Sequence, residues 1–260
     1  MDARMDGRNA IVTGGSLGIG RAIATEFAKS GANVAIVARG PEALEKARAD
    51  ILAASDTNIV AISANVSEAD SCARAIKEAE SALGPIDVLV NGAGSSNRQP
   101  FEEISDEVWQ ADLDLKLFAA IRLSRLVMPG MKERRWGRII NILNTGAKAP
   151  PGGGAPTAVS RAAGMALGKV LAGEGAAHNV LVNSLLVGKI ESDQWERRHV
   201  AEDSGETLAE FYAKNGKALP MGRLGKAEEF ANLACFLASD AGSYINGTAI
   251  NIDGGLSPVV

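Results

Sequence analysis

The sequence of 260 residues predicts a doubly wound α/β fold, in which helices cover both faces of one parallel β-sheet. Strand-like runs alternate with segments of helical period along the whole chain, as in parallel sheets joined by crossover helices. The strand-like runs are continuously apolar, which is expected for strands buried on both faces. The first run leads directly into a glycine-rich turn and then a helix.

The elements follow one another in a regular order. Strands are predicted at 10–12, 33–38, 59–64, 86–90, 138–143, 181–186 and 248–252. Helices are predicted between them at 21–30, 41–54, 69–83, 105–131, 158–177 and 227–238. Two boundaries carry signals of their own, because Gly40 precedes Pro41 at a first helical position and Gly31 ends the helix before the second strand.

The chain contains no internal repeat and no interdomain linker, so we expect one domain over residues 1–260. A glycine- and proline-rich stretch at 149–156 is interpreted as a loop at a functional site, since helical period resumes directly after it. Residues 191–216 interrupt the alternation with mixed charge and scattered aromatic residues. Such an insertion is typical of a mobile lid over a ligand, here at about 190–217.

The composition excludes several classes of partner. With a net charge of −4 and a pI near 5.4, neither nucleic acid nor an anionic membrane is favoured. The one dense basic run is interpreted as a solvated connection between a helix and a strand, and comprises Lys132, Arg134, Arg135 and Arg138.

Cysteine usage and the N-terminal residues indicate a soluble, cytoplasmic protein. Cys72 and Cys235 lie far apart with no disulfide framework, so both are expected to be buried or reduced thiols. Residues 1–4 lack the apolar core of a signal peptide, and no apolar run approaches the roughly 18 residues of a membrane span. His178 and His199 have no metal-ligand spacing, so no metal is expected, and His178 is interpreted as a helix C-terminal residue.

The turn after the first strand is a candidate pyrophosphate site, because glycines allow close approach and the free N–H groups of a helix start attract anions. It contains Gly14, Ser16, Leu17, Gly18 and Ile19.

The residue after the second strand selects the dinucleotide. Arg39 stands where an acidic residue would bind the ribose hydroxyls of NAD, and arginine there suits the 2′-phosphate of NADP. The alternative is a surface arginine at a helix start. Ala38 also lacks a carboxylate, so NADP(H) is favoured over NAD(H). Asn65, at the end of the third strand, either accepts from the adenine amino group or is a turn residue.

Six motifs are distributed along the chain: Thr13-Gly14-x-x-x-Gly18-x-Gly20, Asn91-Gly92-Ala93-Gly94, Gly137-Arg138-Ile139-Ile140-Asn141-Ile142, Pro220-Met221-Gly222-Arg223-Leu224-Gly225-Lys226, Phe236-Leu237-Ala238-Ser239-Asp240 and Asp253-Gly254-Gly255. Together they resemble the short-chain dehydrogenase/reductase family, in the branch of the 3-oxoacyl-carrier-protein reductases. The match spans essentially the whole chain. It departs from the family pattern at Gly92, where an asparagine is usual, and at Val187, where a proline is usual.

The resemblance implies a single Rossmann domain, a nicotinamide cofactor and, commonly, a homotetramer. It places Ile190 and Ser192 against the nicotinamide carboxamide. Further contacts that it implies for the cofactor are Val66, Asn91, Ala93, Gly94, Arg161 and Gly188.

The residues that carry the family's proton transfer are all changed. The resemblance puts Thr157 at the tyrosine of Tyr-x-x-x-Lys and Arg161 at its lysine, with Asn144 at the serine. Lys116 stands at the asparagine. The only tyrosines of the chain are Tyr212 and Tyr244, so the usual phenolic acid is absent.

These replacements have chemical consequences. A threonine hydroxyl is too weak an acid to give up a proton near neutral pH, and Arg161 holds a ribose but does not exchange protons. Asn144 donates a hydrogen bond to a carbonyl oxygen as serine would. One hypothesis is therefore that Lys116 is the acid/base, with its pKa lowered by Arg161, while Thr157 and Arg161 orient substrate and ribose. Alternatively, Lys116 points to solvent or bridges backbone carbonyls.

Lys116 and Arg161 make the expected pocket cationic, and Arg197, Arg198 and His199 in the lid add to this, which suggests an anionic substrate. The alternative for these lid residues is a solvated helix face. Three aromatic residues either line the pocket or seat the lid on the core, namely Trp195, Phe211 and Tyr212.

The sequence is interpreted as an NADP(H)-dependent oxidoreductase acting on a small carbonyl or alcohol substrate. Two alternatives remain: a redox-neutral enzyme on the same scaffold, such as a lyase or isomerase, and a non-catalytic dinucleotide-binding subunit. Fold alone does not choose among them.

Overall fold

Seven parallel strands form one sheet in the computed structural model, which describes residues 3–260. In chain order they are β1 (Asn9–Thr13), β2 (Asn33–Ala38), β3 (Ile59–Ser63), β4 (Val88–Asn91), β5 (Gly137–Asn144), β6 (Val180–Val187) and β7 (Ala249–Ile252). Their order across the sheet is β3-β2-β1-β4-β5-β6-β7. The predicted doubly wound α/β fold is confirmed. Met1 and Asp2 lie outside the described residues. They belong to residues 1–4, which were predicted to lack the apolar core of a signal peptide.

Helices connect the strands as the sequence pattern predicts. They are α1 (Gly18–Lys29), α2 (Pro41–Leu52), α3 (Ala69–Leu83), α4 (Asp106–Leu113), α5 (Ala119–Arg134), α6 (Thr157–Gly175), α7 (Asp193–Glu202), α8 (Leu208–Gly216) and α9 (Ala227–Ala238). The helix predicted at 105–131 is one helical run in which a π-helical turn, Asp114–Phe118, joins α4 to α5. His178 lies in a 3₁₀ turn, Ala176–His178, directly after α6.

Alternate residues of each central strand pack into two apolar layers. In β1, Ala10 and Val12 face the layer beneath α1, α2 and α9, while Ile11 faces the layer beneath α3 and α5. Because both faces are covered, the strands read as continuous apolar runs rather than alternating ones. Cys235 lies in the first layer and Cys72 in the second, so the prediction that both thiols are buried is confirmed.

The basic run after α5 differs from its prediction at one residue. Arg138 is 1% exposed, because it lies inside β5 and its guanidinium stacks 4.3 Å from the centroid of the Trp136 ring. Arg8 stacks on the same ring at 3.6 Å, and the Trp136 indole N–H donates to Asp240 at 3.1 Å. The expectation of a solvated run is therefore wrong for Arg138, because the contacts of Arg8 and Arg138 with the Trp136 ring were not visible in the linear pattern.

The strand order determines where a site can form. The chain leaves β1 toward β2 on one side and returns to β4 on the other, so the loops after β1 and β4 diverge at the carboxyl edge of the sheet. Such a reversal leaves a crevice at that edge, where ligands of open α/β sheets bind. Among residues 3–260, every helix is too short or too polar to cross a bilayer.

Candidate active site

A cavity of about 720 Å³ opens at the carboxyl edge of the sheet, above the reversal between β1 and β4. The carboxyl ends of six strands, β1 to β6, and the start of α7 contribute to its walls. Of the residues predicted to contact a cofactor, the following line it: Gly14, Ser16, Leu17, Gly18, Ile19, Arg39, Asn65, Val66, Ala93, Gly94, Arg161, Gly188, Ile190 and Ser192. Asn91 lines a small adjacent cavity instead.

The glycine turn is too tightly packed to accept side chains. A Cβ at Gly14 would lie 2.8 Å from the carbonyl oxygen of Gly92, and one at Gly20 would lie 2.2 Å from the carbonyl oxygen of Gly14. Thr13 ties this turn to β4, because its hydroxyl accepts from the backbone N–H groups of Gly92 and Ala93 at 3.0 and 3.2 Å.

The start of α1 lies open toward the cavity. Its N-cap, Leu17, supplies no side-chain hydrogen bond, and no acidic residue stands in the first turn of α1. An uncapped helix start carries free N–H groups and a partial positive charge. The turn therefore fits a pyrophosphate.

One carboxylate lies above the glycine turn and was missed at the sequence level. A Cβ at Gly18 would lie 2.9 Å from Asp193 Oδ1, so the start of α7 approaches the start of α1. Asp193 is also paired with Arg197, one turn further along α7, at 2.6 Å. This carboxylate occupies space next to the predicted pyrophosphate position.

The far end of the cavity carries the residues expected around adenosine. Arg39 is exposed at the end of β2, lines the cavity and has no ion-pair partner within residues 3–260. Asn65 Oδ1 accepts from the backbone N–H of Ser67 at 3.2 Å, and its amide donates to Glu68 at 2.8 Å. These contacts favour the turn interpretation of Asn65 over adenine recognition.

Two of the replaced residues face the cavity at its other end. Asn144 ends β5, and within the described chain its Oδ1 is buried with no hydrogen-bond partner. Arg161 donates from Nη1 to the carbonyl of Ile142 at 2.9 Å, which leaves its buried Nε unpartnered. Burial lowers the pKa of Arg161 to about 10, against the opposing effect of Asp112, so the side chain remains a cation near neutral pH.

Lys116 turns inward rather than toward solvent or backbone carbonyls. Its ammonium is ion-paired with Asp112, one turn earlier on the helix, and donates to Thr157 Oγ1 at 2.9 Å. Its side chain is 4% exposed and lies behind Gly94, where a Cβ would be 3.6 Å from Lys116 Cγ and 3.3 Å from Arg161 Nη2. Burial lowers the pKa of Lys116, Asp112 opposes this, and Arg161 lowers it further.

Thr157 is buried beside Lys116 rather than on the cavity wall. Its side chain is 1% exposed and does not line the cavity, and Oγ1 accepts from the backbone N–H of Asn97 at 2.9 Å as well as from Lys116. The role of Thr157 in orienting substrate therefore stays a prediction, and its hydroxyl is engaged by Asn97 and Lys116 inside the protein. It holds the loop after β4, which also contacts the 149–156 stretch through Gln99 and Ala155.

Asp112 and Ser160 complete this buried group and were not identified from the sequence. Ser160 donates to Asp112 Oδ2 at 2.6 Å, and both residues are at most 5% exposed. We call Asp112, Lys116, Thr157 and Ser160 the Asp112 cluster. The i, i+4 spacing of Asp112 and Lys116 on a predicted helix was the available signal for it.

Cationic side chains surround the mouth of the cavity. Lining residues of this kind are Arg98, Lys189, Arg197 and Arg198. Trp195 also lines it, with Lys189 and Arg198 at 5.9 and 5.0 Å from its ring.

The other aromatic residues seat α7 and α8 on each other. Phe211 is fully buried, 6.1 Å from Trp195 and 5.3 Å from His199, while the His199 ring contacts the carbonyl of Glu206 at 2.6 Å. Tyr212 packs on Phe211 at 6.3 Å and does not line the cavity. Of the two predicted alternatives, lining the cavity therefore holds for Trp195, and anchoring the segment 190–217 holds for Phe211.

Comparisons with known proteins agree with this architecture. Residues 14–257 match the family described as enoyl-(acyl carrier protein) reductase. The chain is 34% identical to an acetoacetyl-CoA reductase of Shinella zoogloeoides, over 95% of this chain and 98% of that protein. It is also 34% identical to the 3-oxoacyl-[acyl-carrier-protein] reductase FabG of Escherichia coli, over 96% and 98% of the two chains.

Solved structures are similar over the full length. The L-sorbose reductase of Gluconobacter frateurii, in complex with NADPH and L-sorbose, superposes with a TM-score of 0.95 at 32% identity and covers 100% of both chains. Levodione reductase superposes with a TM-score of 0.91 at 25% identity, over 99% of this chain and 100% of that one.

Proposed function

The chain belongs to the short-chain dehydrogenase/reductase family, and from its site we propose that it is an NADP(H)-dependent oxidoreductase acting on a small carbonyl or alcohol substrate. The observation that carries this proposal is the glycine turn, whose packing admits no side chain beside an uncapped helix start. A tight glycine turn that leads into an uncapped helix start is the arrangement by which dinucleotide-binding folds hold a pyrophosphate.

Each part of the cofactor has residues of this chain that would bind it. The N–H groups around Gly18 would hold the pyrophosphate, Arg39 the 2′-phosphate, and Ile190 and Ser192 the carboxamide, as the family resemblance implies. Arg161 would hold the nicotinamide ribose with its fork of donors. When bound, the nicotinamide supplies or accepts the hydride. The NADPH complex of the similar L-sorbose reductase supports the preference for NADP(H) over NAD(H).

Asn144 and Arg161 are the groups proposed to bind the substrate oxygen. Both line the cavity, and the buried Nε–H of Arg161 is a donor without a partner in residues 3–260. The Asn144 amide donates a hydrogen bond, and the guanidinium of Arg161 stabilises negative charge that develops on the oxygen during hydride transfer. Because Arg161 stays charged, it does not supply the proton.

Lys116 is the proposed proton donor. Asp112 and Thr157 take two of its three N–H bonds, which leaves the third for a substrate oxygen or a water. Gly94 provides no side chain between Lys116 and the cavity. The lowered pKa of Lys116 makes its ammonium a better acid than an exposed lysine.

The substrate is proposed to be anionic, and the segment 190–217 to be a lid over it. Four cationic side chains line the mouth of the cavity, namely Arg98, Lys189, Arg197 and Arg198. Asp193 is the one carboxylate among the lining residues within 3–260, so positive charge exceeds negative charge at the mouth. The resulting positive potential attracts a carboxylate or phosphate. Cytoplasmic location and a homotetramer remain predictions.

Two variants test the assignment. Arg39→Ala should weaken NADPH binding about 10-fold or more, as expected for a charge-assisted phosphate contact, while NADH binding is unchanged. Lys116→Met should abolish carbonyl-dependent loss of nicotinamide absorbance and leave NADPH affinity intact. Lys77→Met, an exposed lysine on α3, is the matched control.

The same titrations separate the alternatives. Cofactor binding without turnover of any carbonyl substrate would indicate a non-catalytic dinucleotide-binding subunit, which the threonine in place of tyrosine at position 157 favours. Turnover without change in nicotinamide absorbance would indicate a redox-neutral enzyme. Unchanged turnover in Lys116→Met would reject Lys116 as the proton donor.

A further inference from the structure

Asp112 is a buried carboxylate with both oxygens engaged. One oxygen accepts from Lys116 Nζ, and the other accepts from Ser160 Oγ at 2.6 Å. Its side chain is 3% exposed. A carboxylate held at both oxygens has one orientation, so the lysine that it contacts is held in one orientation as well.

The charge balance around Asp112 explains why a carboxylate is needed there. Lys116 lies on the same helical run and Arg161 on α6, so two cations share one buried anion. A buried ammonium without a counter-charge loses its proton or destabilises the fold. Asp112 therefore keeps Lys116 charged although its side chain is only 4% exposed.

The hydrogen-bond directions extend this argument to the reaction. Two N–H bonds of Lys116 are directed to Asp112 and Thr157. Because these two hydrogen bonds fix the rotation of the ammonium, they also fix the direction of its third N–H. A fixed donor contributes more to proton transfer than a mobile one, because the productive geometry is already formed.

We propose that Asp112 is a positioning residue, which holds the Lys116 ammonium behind Gly94, in the small cavity adjacent to the main one, in the orientation and charge state that proton transfer requires. The inference rests on the proposed function of Lys116. As hydride adds to the carbonyl carbon, the C–O π pair moves to oxygen, and that oxygen takes one proton from Lys116 Nζ. Lys116 is left as a neutral amine beside Asp112 and regains its proton from solvent.

The first test is kinetic and uses Asp112→Asn and Asp112→Glu in the full-length protein. We expect kcat for reduction to fall about 10- to 100-fold in Asp112→Asn, on the scale of general acid catalysis, with substrate KM and NADPH affinity within about 2-fold. Asp112→Glu should recover part of the loss, because it restores the charge.

The pH dependence of kcat distinguishes positioning from stability. Reduction needs protonated Lys116, so kcat falls as the pH rises through its pKa. Asp112 holds that pKa up, and its removal should move the alkaline limb to lower pH. Arg161 is the other charged group that acts on Lys116 among residues 3–260, and it is present in every variant. If Asp112 had only a structural role, the alkaline limb of the kcat profile would stay at the same pH in Asp112→Asn. That result would overturn the inference.

A second measurement does not depend on turnover. Competitive acetylation across pH, read by mass spectrometry of the Lys116 peptide, reports the pKa of that amine in the free protein. We expect a lower value in Asp112→Asn than in the wild type, and equal values would contradict the inference. If Asp112→Asn does not fold, Asp112→Glu and Ser160→Ala provide the same comparison, with a smaller shift expected in the same direction.

A double variant separates this inference from the proposed function. If Asp112 acts through Lys116, Lys116→Met/Asp112→Asn should be no slower than Lys116→Met alone. Full turnover in Lys116→Met would reject Lys116 as the proton donor, and this inference with it, whereas absence of carbonyl-dependent NADPH oxidation in the wild type would reject the proposed function itself. Loss of turnover in Lys116→Met together with unchanged kcat and pH profile in Asp112→Asn would reject only the role of Asp112.

Discussion

The backbone N–H of Asn97 donates to Thr157 Oγ1 at 2.9 Å, and this contact joins the loop after β4 to the first residue of α6. The same oxygen accepts from Lys116. Ser95, Ser96 and Arg98 of that loop line the cavity, so a residue that is itself buried determines where they stand. Thr157 thus shapes the substrate side of the site without touching it.

Removal of the Thr157 hydroxyl should loosen this loop. Thr157→Val removes the acceptor shared by the Asn97 N–H and by one N–H of Lys116, which costs about 1–3 kcal/mol of stability, and we expect substrate KM to rise more than kcat falls. Thr157→Ser keeps the acceptor and is the matched control. Urea unfolding and steady-state kinetics measure the two effects, and identical behaviour of the valine and serine variants would show that the contact is dispensable.

The glycine turn should tolerate no added methyl group at Gly20. Because a Cβ there would lie 2.2 Å from a backbone oxygen, Gly20→Ala must displace the turn, which we expect to cost about 1–3 kcal/mol and to weaken NADPH binding. Gly152→Ala is the control, since nothing lies within 4 Å of a Cβ at that position. Denaturant unfolding and fluorescence titration of NADPH measure both quantities. Wild-type affinity in Gly20→Ala would contradict the assignment of this turn.

Asp193 should oppose the cofactor phosphates. Its carboxylate lies next to Gly18, where the pyrophosphate is expected, and like charges at this range repel. We expect Asp193→Asn to bind NADPH about 3- to 10-fold more tightly, with a gain that shrinks as ionic strength rises. Glu202→Gln, at the other end of α7, controls for net charge. Weaker binding in Asp193→Asn would indicate that the carboxylate supports the site.

The ion pair between Arg223 and Glu229 should make a small contribution to acid stability. Both guanidinium Nη atoms donate to the carboxylate at 2.8 and 2.7 Å, and the hydrogen bond from Arg223 lowers the pKa of Glu229 to about 2. Since the folded value lies below the ordinary value of 4.5, this stability is present above 4.5 and is lost as the pH falls toward about 2. Because both side chains are nearly half exposed, we expect less than about 1 kcal/mol.

Urea unfolding of Glu229→Gln tests this sign. The variant should be less stable than the wild type near neutral pH, and the difference should narrow as the pH falls below 4.5. Glu228→Gln, an exposed neighbour without this ion pair, is the control. A difference that widens in acid would contradict the assignment.

Local patterns were sufficient for the strands and for the glycine turn. The turn at Gly14 and Gly18 is constrained by its immediate neighbours in the chain, so its residue types already report its conformation. The end of β2 is similar, because Arg39 lines the cavity as a direct result of following a strand. In both cases the functional position is the one that the local element dictates.

The contacts of the residues at the family's proton-transfer positions could not be predicted from local patterns. Thr157 and Lys116 are 41 positions apart in the chain and meet only when α6 packs against the π-helical turn after α4. Lys116 reaches the Thr157 hydroxyl from another helix, a contact that the motif position of neither residue implies. Position in a motif therefore did not indicate which surface each side chain faces.

The sequence by itself determined the parallel sheet, the order of its elements and the dinucleotide turn, because hydrophobic periodicity and glycine conformations act over a few residues. Tertiary structure alone decided that Lys116 is paired with Asp112, that Thr157 is buried, and that Asp193 lies above the glycine turn. Those outcomes depend on how helices from distant parts of the chain pack, and on the cost of burying a charge without a partner, which no local pattern encodes.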